Sequence, residues 1–126
     1  MTYTYDAQNI FAKILRSEIP NDTVLETEHT LAFNDIQPQA PVHVLVIPKG
    51  EYVCHDHFAS QANEAEIVDF MRATAKVCAM VNVSPGSGND GFRTISNAGV
   101  AAVQEVPHYH LHILGGRPLG RMLAKP

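Results

Sequence analysis

Tryptophan is missing from this 126-residue chain, and cysteine occurs only at Cys54 and Cys78. Two distant thiols without a CxxC partner cannot frame a disulfide scaffold and fit a reducing compartment. Charge is also sparse, at 17% of residues against 45% apolar, the balance of a globular chain and not of a disordered one. Positive charge is in deficit: the formal net charge is −4 and the pI ≈ 5.9, which excludes a general nucleic-acid binder or a protein held to anionic membrane surfaces. A phosphate-bearing ligand would have to find a local site, because the field of the whole molecule does not attract it. Long hydrophobic runs are lacking as well. The longest, Val42–Ile47, is interrupted by His43 and falls far short of the roughly 20 residues that span a bilayer. The opening Met1-Thr2-Tyr3-Thr4-Tyr5-Asp6 lacks the basic-then-apolar order of a secretory signal, so a cytoplasmic location is expected. The length fits one domain over residues 1–126, without repeats, low-complexity segments or a linker.

Within these bounds, apolar periodicity lays out the elements. Ile10, Phe11, Ile14 and Leu15 predict a short amphipathic helix, ended by Ile19-Pro20-Asn21-Asp22. Residues 23–28 and 30–35 predict two strands joined by a tight turn near Glu28-His29. Residues 43–47 are β-branched and nearly all apolar, a strand covered on both faces. A single long helix is predicted over about 60–82, with Ser60 as N-cap and Ile67, Met71, Thr74, Cys78 and Val81 on its buried face. After a breaker-rich loop, residues 92–96 and 108–114 predict the last strands, separated by a small-residue loop at 99–103. Strands joined by short turns imply antiparallel pairing and an α+β fold.

The chemistry concentrates at the end. Of seven histidines, three fall at 108, 110 and 112, so a strand would put their imidazoles on one face and Tyr109, Leu111 and Ile113 on the other. Three readings compete. The row can be the polar face of an edge strand. It can be part of a zinc site, completed by His43 or by Cys54-His55-Asp56-His57, although outer Cα atoms ~13 Å apart at ~3.3 Å per residue cannot converge on an ion that wants nitrogens at ~2 Å. Or it can serve phosphoryl chemistry. A neutral imidazole is a good nucleophile near neutral pH, and neighbouring imidazoles donate hydrogen bonds to the anionic oxygens of the transition state. The third reading explains three rings in register best.

Pro107-His108-Tyr109-His110-Leu111-His112-Ile113-Leu114 resembles the histidine triad signature, and the resemblance extends beyond it. Ile10–Ile14, Glu18–Pro20, Leu31–Ile36, Pro38–His43, Val46–Lys49, Asn97–Gly99, Gln104 and Gly115–Arg117 are similar to the nucleoside phosphoramidase (Hint-like) branch, so that the likeness covers about residues 9–117. The resemblance implies a five-stranded antiparallel sheet that joins a second copy into a ten-stranded one, a homodimer. It implies that His110 is the nucleophile and forms a nucleotidyl-histidine intermediate that water cleaves. His112 would bind phosphate oxygens, the backbone of His108 would orient the nucleophilic ring, His43 would support them, and Asn97 would hydrogen-bond the phosphate. Ile10, Phe11, Ile14, Phe33 and Ile36 would sandwich a purine, Asp35 would accept from the ribose hydroxyls, and Val103 and Gln104 would complete the nucleotide site. No cofactor and no metal are implied. Asp35 also reads as an ordinary turn residue at a strand end.

Two positions depart from the branch, which usually has glycine where this chain has Val103 and serine where it has Glu105. Val103 retains an N–H to offer a ligand. Glu105 is harder to place, since a carboxylate ~4 Å from a phosphate oxygen costs on the order of 4 kcal/mol at an effective dielectric near 20. Either it points away as a loop carboxylate, or the bound phosphate holds it protonated and it hands that proton to the leaving group. The branch's tryptophan-bearing C-terminus is replaced by Arg117-Pro118-Leu119-Gly120-Arg121-Met122-Leu123, so leaving-group preference need not follow the branch. Gly86–Gly91 spells GxGxxG but leads into a strand, whereas a dinucleotide site needs a helix N-terminus there; it reads as a turn. Cys54–His57 reads as a solvated loop. The expected function is hydrolysis of purine nucleoside monophosphate derivatives, phosphoramidates foremost. The alternatives are a dinucleoside polyphosphate hydrolase using the same nucleophile and a nucleotide-dependent interaction protein with vestigial chemistry.

Overall fold

β-branched and aliphatic residues from Val42 to Pro48 form the centre of the sheet in the computed structural model, which describes residues 2–126. Five strands, β1 (Thr23–Glu26), β2 (Thr30–Asn34), β3 (Val42–Pro48), β4 (Phe92–Ile95) and β5 (Leu111–Gly115), pair antiparallel in the order β1-β2-β3-β5-β4. The hairpin between β1 and β2 closes with the Thr27 N–H on the Thr30 carbonyl at 2.9 Å. Because neighbouring side chains on a strand alternate in direction, β3 is buried on both faces and each face meets a different layer.

On one face, Ala32, Val44, Val46 and Ile113 pack with Phe58, Phe70, Val77 and Tyr109. Phe70 and Val77 come from α3 (Glu64–Met80) and Phe58 from α2 (His55–Gln61). On the other, Leu31, Phe33, Leu45 and Ile47 pack with Phe11 and Ile14 of α1 (Ile10–Leu15). The register sets Phe33 opposite Leu45 and Leu45 opposite His112, so His112 rises on the α1 face. Tyr109 and Ile113 lie in the opposite core, with Leu111 packed against it, as alternation about the histidines requires. Among the described residues, no helix is long and apolar enough to cross a membrane.

The predicted α+β class and antiparallel sheet hold; three details are corrected. The helix expected over 60–82 is two helices, broken at Ala62-Asn63. Ser60 lies inside α2, and the cap of α3 is Asn63, whose side chain accepts from the Glu66 N–H while Glu66 reaches back to the Asn63 N–H. This reciprocal capping box satisfies donors that helix continuation would otherwise serve, which stabilises the break. The buried stripe of α3 is Phe70, Ala73, Val77 and Cys78, with Ile67 and Val81 partly covered, whereas Met71 is exposed. Cys54–His57 is not a loop: Cys54 is the N-cap of α2. Finally, β5 begins only at Leu111. The Tyr109 N–H is drawn to the Tyr52 carbonyl at 2.7 Å and the His108 carbonyl to the His110 ring, so residues 108–110 lie outside the ladder, with His108 at a bend.

Candidate active site

Between α1, the end of β2 and the loop before β5 lies a cavity of about 540 Å³. Its apolar wall comes from Ile10, Phe11 and Ile14 on α1 and from Phe33 and Ile36 at the end of β2. Asp35, Asn97, Val103, Glu105, His110 and His112 supply its polar and loop side. Ile10 and Ile36 are exposed while Phe11, Ile14 and Phe33 are buried, so an apolar ligand has a rigid floor and two open flanks to cover. Ile19, Pro20, Asn21 and Val106 also line the cavity, a contribution the sequence did not reveal because turn chemistry fully explained the first three.

The imidazoles are not equivalent. His108 is completely buried and lines no part of the cavity; its Nε2 is 2.8 Å from the Pro48 carbonyl and its Nδ1 2.6 Å from the Tyr5 hydroxyl. The picture of three rings projecting from a common face into one space is thus corrected: two of them, His110 and His112, line the cavity. The His110 Nδ1 lies 2.8 Å from the His108 carbonyl. A carbonyl only accepts, so the proton of neutral His110 sits on Nδ1 and a lone pair remains on Nε2. His43, on β3, reaches His112 Nδ1 with its Nε2 at 2.9 Å. The Gln39 main-chain N–H donates to His43 Nδ1 at 3.0 Å. A main-chain N–H only donates, so neutral His43 carries its proton on Nε2 and passes it toward His112 Nδ1; neutral His112 then keeps its own proton on Nε2 as a donor. The geometry therefore pairs a lone pair on one cavity ring with an N–H on the next, whose centroids lie 5.1 Å apart.

Burial keeps all four rings neutral near physiological pH. It pushes His108 down to about 4, and, aided by the like charges of His110 and His43, His112 to about 4. His43 and His110 are also lowered by burial; Asp35 opposes this at both, and the His108 carbonyl and Glu105 do so at His110.

Asp35 lines the cavity and plays its turn role too, accepting the Gln37 N–H on Oδ1 at 2.8 Å while Oδ2 stands 3.4 Å from His43 Nε2. Asp35, His43 and His112 bring possible ligand atoms within 4.8 Å of one another, so a divalent cation could be held here at the expense of the His43–His112 hydrogen bond. The zinc set posed from sequence, with two ligands from the histidine row, is not what the chain assembles: one ligand comes from the row, and Cys54–His57 lies elsewhere.

Two expected nucleotide contacts are placed differently. Gln104 does not line the cavity; its amide donates to the carbonyls of Val53 and Val106 and accepts the Gly99 N–H, pinning the loop. Val103 lines the cavity, but its N–H is taken by the Val100 carbonyl at 3.0 Å, so it does not offer a free donor. Its φ of 56° is left-handed, a conformation that costs a β-branched residue ~1–2 kcal/mol and that glycine adopts freely. Glu105 lines the cavity, and its charge bears on His110.

With this geometry in view, comparison with known proteins is direct. The HIT domain family matches residues 16–119. An uncharacterized 13.2 kDa HIT-like protein of Azospirillum brasilense is 54% identical over 125 residues, 99% of each chain. The purine nucleoside phosphoramidase of Escherichia coli is 40% identical over 117 residues, covering 93% of this chain and 94% of its own. Among solved structures, a HIT family hydrolase from Clostridium thermocellum superposes with a TM-score of 0.79 at 36% identity, covering 93% of this chain and 97% of the other.

Proposed function

As the chain belongs to the HIT domain family, we propose that it is a purine nucleotide-binding hydrolase that cleaves nucleoside phosphoramidates, or related nucleoside monophosphate derivatives, through a covalent intermediate on His110. One observation carries the reading. The His110 ring is held by its Nδ1–H on the His108 carbonyl, which leaves the Nε2 lone pair as its nucleophile on a residue lining the cavity. The name of the Escherichia coli relative supports the substrate class.

In the first step the Nε2 lone pair attacks phosphorus and the phosphorus–nitrogen bond of the substrate breaks. Its electron pair leaves with the amine, which takes up a proton from Glu105 or from water. The ring becomes a phosphorylated imidazolium, and the His108 carbonyl accepts from its Nδ1–H throughout. His112 donates its Nε2–H to the phosphate oxygens, joined by Asn97, while His43 holds the His112 ring. Water then attacks phosphorus, the bond to Nε2 breaks, its electrons return to the ring, and the water proton is released with the nucleoside monophosphate. The base lies against Phe11, Ile14 and Phe33 with Ile10 and Ile36 closing over it, and Asp35 receives the ribose hydroxyls. An apolar clamp of this kind accepts adenine and guanine alike. The two buried free thiols fit a cytosolic setting. The catalytic unit is a homodimer built on β4, whose outer edge has no partner strand among the described residues and carries the exposed Phe92.

Single-turnover incubation with a labelled AMP-amidate, quenched in alkali where phosphohistidine persists, should trap label on the parent protein in the presence of a chelator. It should trap none on His110→Ala, whose kcat falls by about 10⁴ or more. A parent that binds AMP yet never becomes labelled would be a nucleotide-dependent binding protein instead. Faster turnover of a diadenosine polyphosphate than of the amidate would move the substrate class to dinucleoside polyphosphates.

A further inference from the structure

The residues ahead of α1 contribute to the site from its buried side. Tyr5 sits four positions before Asn9, the N-cap of α1, in a segment tied down by the Asn9 side chain on the Asp6 carbonyl at 2.7 Å and by the Arg16 guanidinium on the Ala7 carbonyl at 2.7 Å. From there its hydroxyl reaches His108 Nδ1 at 2.6 Å, and the two rings meet edge to face with centroids 5.6 Å apart. Six residues later the same stretch of chain delivers Phe11, edge-on to His110 with centroids 5.0 Å apart. One continuous piece of chain thus presses on both rings.

The direction of the Tyr5 bond follows from what His108 does on its other side. The Pro48 carbonyl accepts at 2.8 Å, so Nε2 carries the proton and Nδ1 a lone pair; the Tyr5 hydroxyl must donate. With the Tyr5 side chain over it, His108 has no exposed surface. The His108 main-chain carbonyl in turn holds Nδ1–H of His110. We propose that Tyr5 is a positioning residue for the nucleophile: its hydroxyl occupies His108 Nδ1, fixes the ring between two partners, and so fixes the carbonyl that aims His110. Without the hydroxyl, Nδ1 is a buried acceptor with no donor, and the His108 ring gains a reason to turn or to exchange its tautomer, which sets the Nε2 lone pair against the Pro48 carbonyl; either change releases the anchor that holds residue 108 and its carbonyl in place. The inference rests on His110 as the nucleophile for its catalytic consequence, though its structural half stands without that reading.

Tyr5→Phe removes the hydroxyl and keeps the ring. Nitrogen-15 NMR of the histidine side chains should show, in the parent, His108 protonated on Nε2 and His110 protonated on Nδ1 in slow exchange with water. In Tyr5→Phe the His108 tautomer should become mixed and the His110 Nδ1–H should exchange about tenfold faster, since a buried acceptor left unsatisfied is relieved by such motion. The single-turnover labelling rate should fall about tenfold while AMP affinity stays within about twofold, as loss of alignment without loss of binding requires. Unchanged histidine spectra would overturn the proposal. So would a loss of rate matched by an equal loss of AMP affinity and of folded protein, the signature of a merely structural contact. If the parent itself takes up no label, the nucleophile reading fails, and the spectra alone then decide the Tyr5–His108–His110 linkage.

Discussion

A neutral imidazole has one N–H and one lone pair, so whatever binds the first nitrogen decides what the second can do. In this site the partners are the His108 carbonyl for His110 and, through His43, the Gln39 N–H for His112. One further proton has to be delivered, to the departing amine. Glu105 lines the same cavity at the position where the family branch usually carries serine, and its charge acts on His110. Were it to give its proton to the leaving group, loss of that proton donor should slow departure of the amine. The acid limb would be set by His110, whose lone pair is lost on protonation below the ordinary imidazole range. Glu105→Gln should then lose about 10²-fold in kcat, the lower end of what a general acid contributes. An unchanged kcat and pH–rate profile in Glu105→Gln would leave Glu105 with no part in proton transfer.

At the scale of elements, the sheet has two margins, β1 and β4, and β4 carries Phe92 at 41% exposure. An unpaired, apolar edge invites pairing with another chain, and antiparallel pairing of β4 with its copy would extend the sheet to ten strands. Light scattering should therefore give about twice the 13.8 kDa chain mass, and Phe92→Glu, which opposes like charges across such a pair, should return the monomer. A parent that runs at its chain mass would remove the homodimer from the proposal. The elements themselves were largely legible. The β-branched apolar run at 43–47 and the alternation in 108–114 announced the two central strands, because a strand covered on both faces is apolar throughout and one with unlike faces leaves a period of two. The break between α2 and α3 was hidden because apolar spacing runs almost smoothly through it, although Asn63 followed three residues later by Glu66 is the capping signature that marks it. The cavity's main walls were legible through Ile10, Phe11, Ile14 and Phe33, and its chemistry through the histidines. Tyr5 was not, since an isolated tyrosine in an extended leader has no period to betray it, and Gln104 was misplaced because an amide can serve a ligand or its own loop equally well from sequence.

Taken whole, the molecule keeps four uncharged imidazoles within one small volume, and that must appear in its stability. In the unfolded chain these rings titrate near 6.5; in the folded chain burial lowers all four, with His108 and His112 near 4. Above about pH 6.5 neither state takes up the protons and stability is level. Between there and about pH 4 the unfolded chain binds more protons than the folded one, so stability falls as pH falls; below that window the loss is complete. A single buried ring with that displacement represents on the order of 3 kcal/mol, and mutual repulsion among the four prevents simple addition. Urea midpoints should be flat from mildly alkaline to neutral pH and drop steeply below about pH 6. A midpoint unchanged down to about pH 4.5 would show that the rings are not held neutral.

Apart from the Tyr5 hydroxyl on His108, the atoms that decide where each proton resides are the carbonyls of Pro48 and His108 and the amide of Gln39. All three belong to the main chain. Replacement of the Gln39 side chain therefore leaves the pattern intact unless proline is introduced, and no exchange of side chain can abolish a carbonyl. Chemical competence is in this way uncoupled from side-chain identity at the very positions that enforce it, and it becomes vulnerable instead to anything that displaces the backbone: an insertion between 36 and 41, or a slip of β5 along β3.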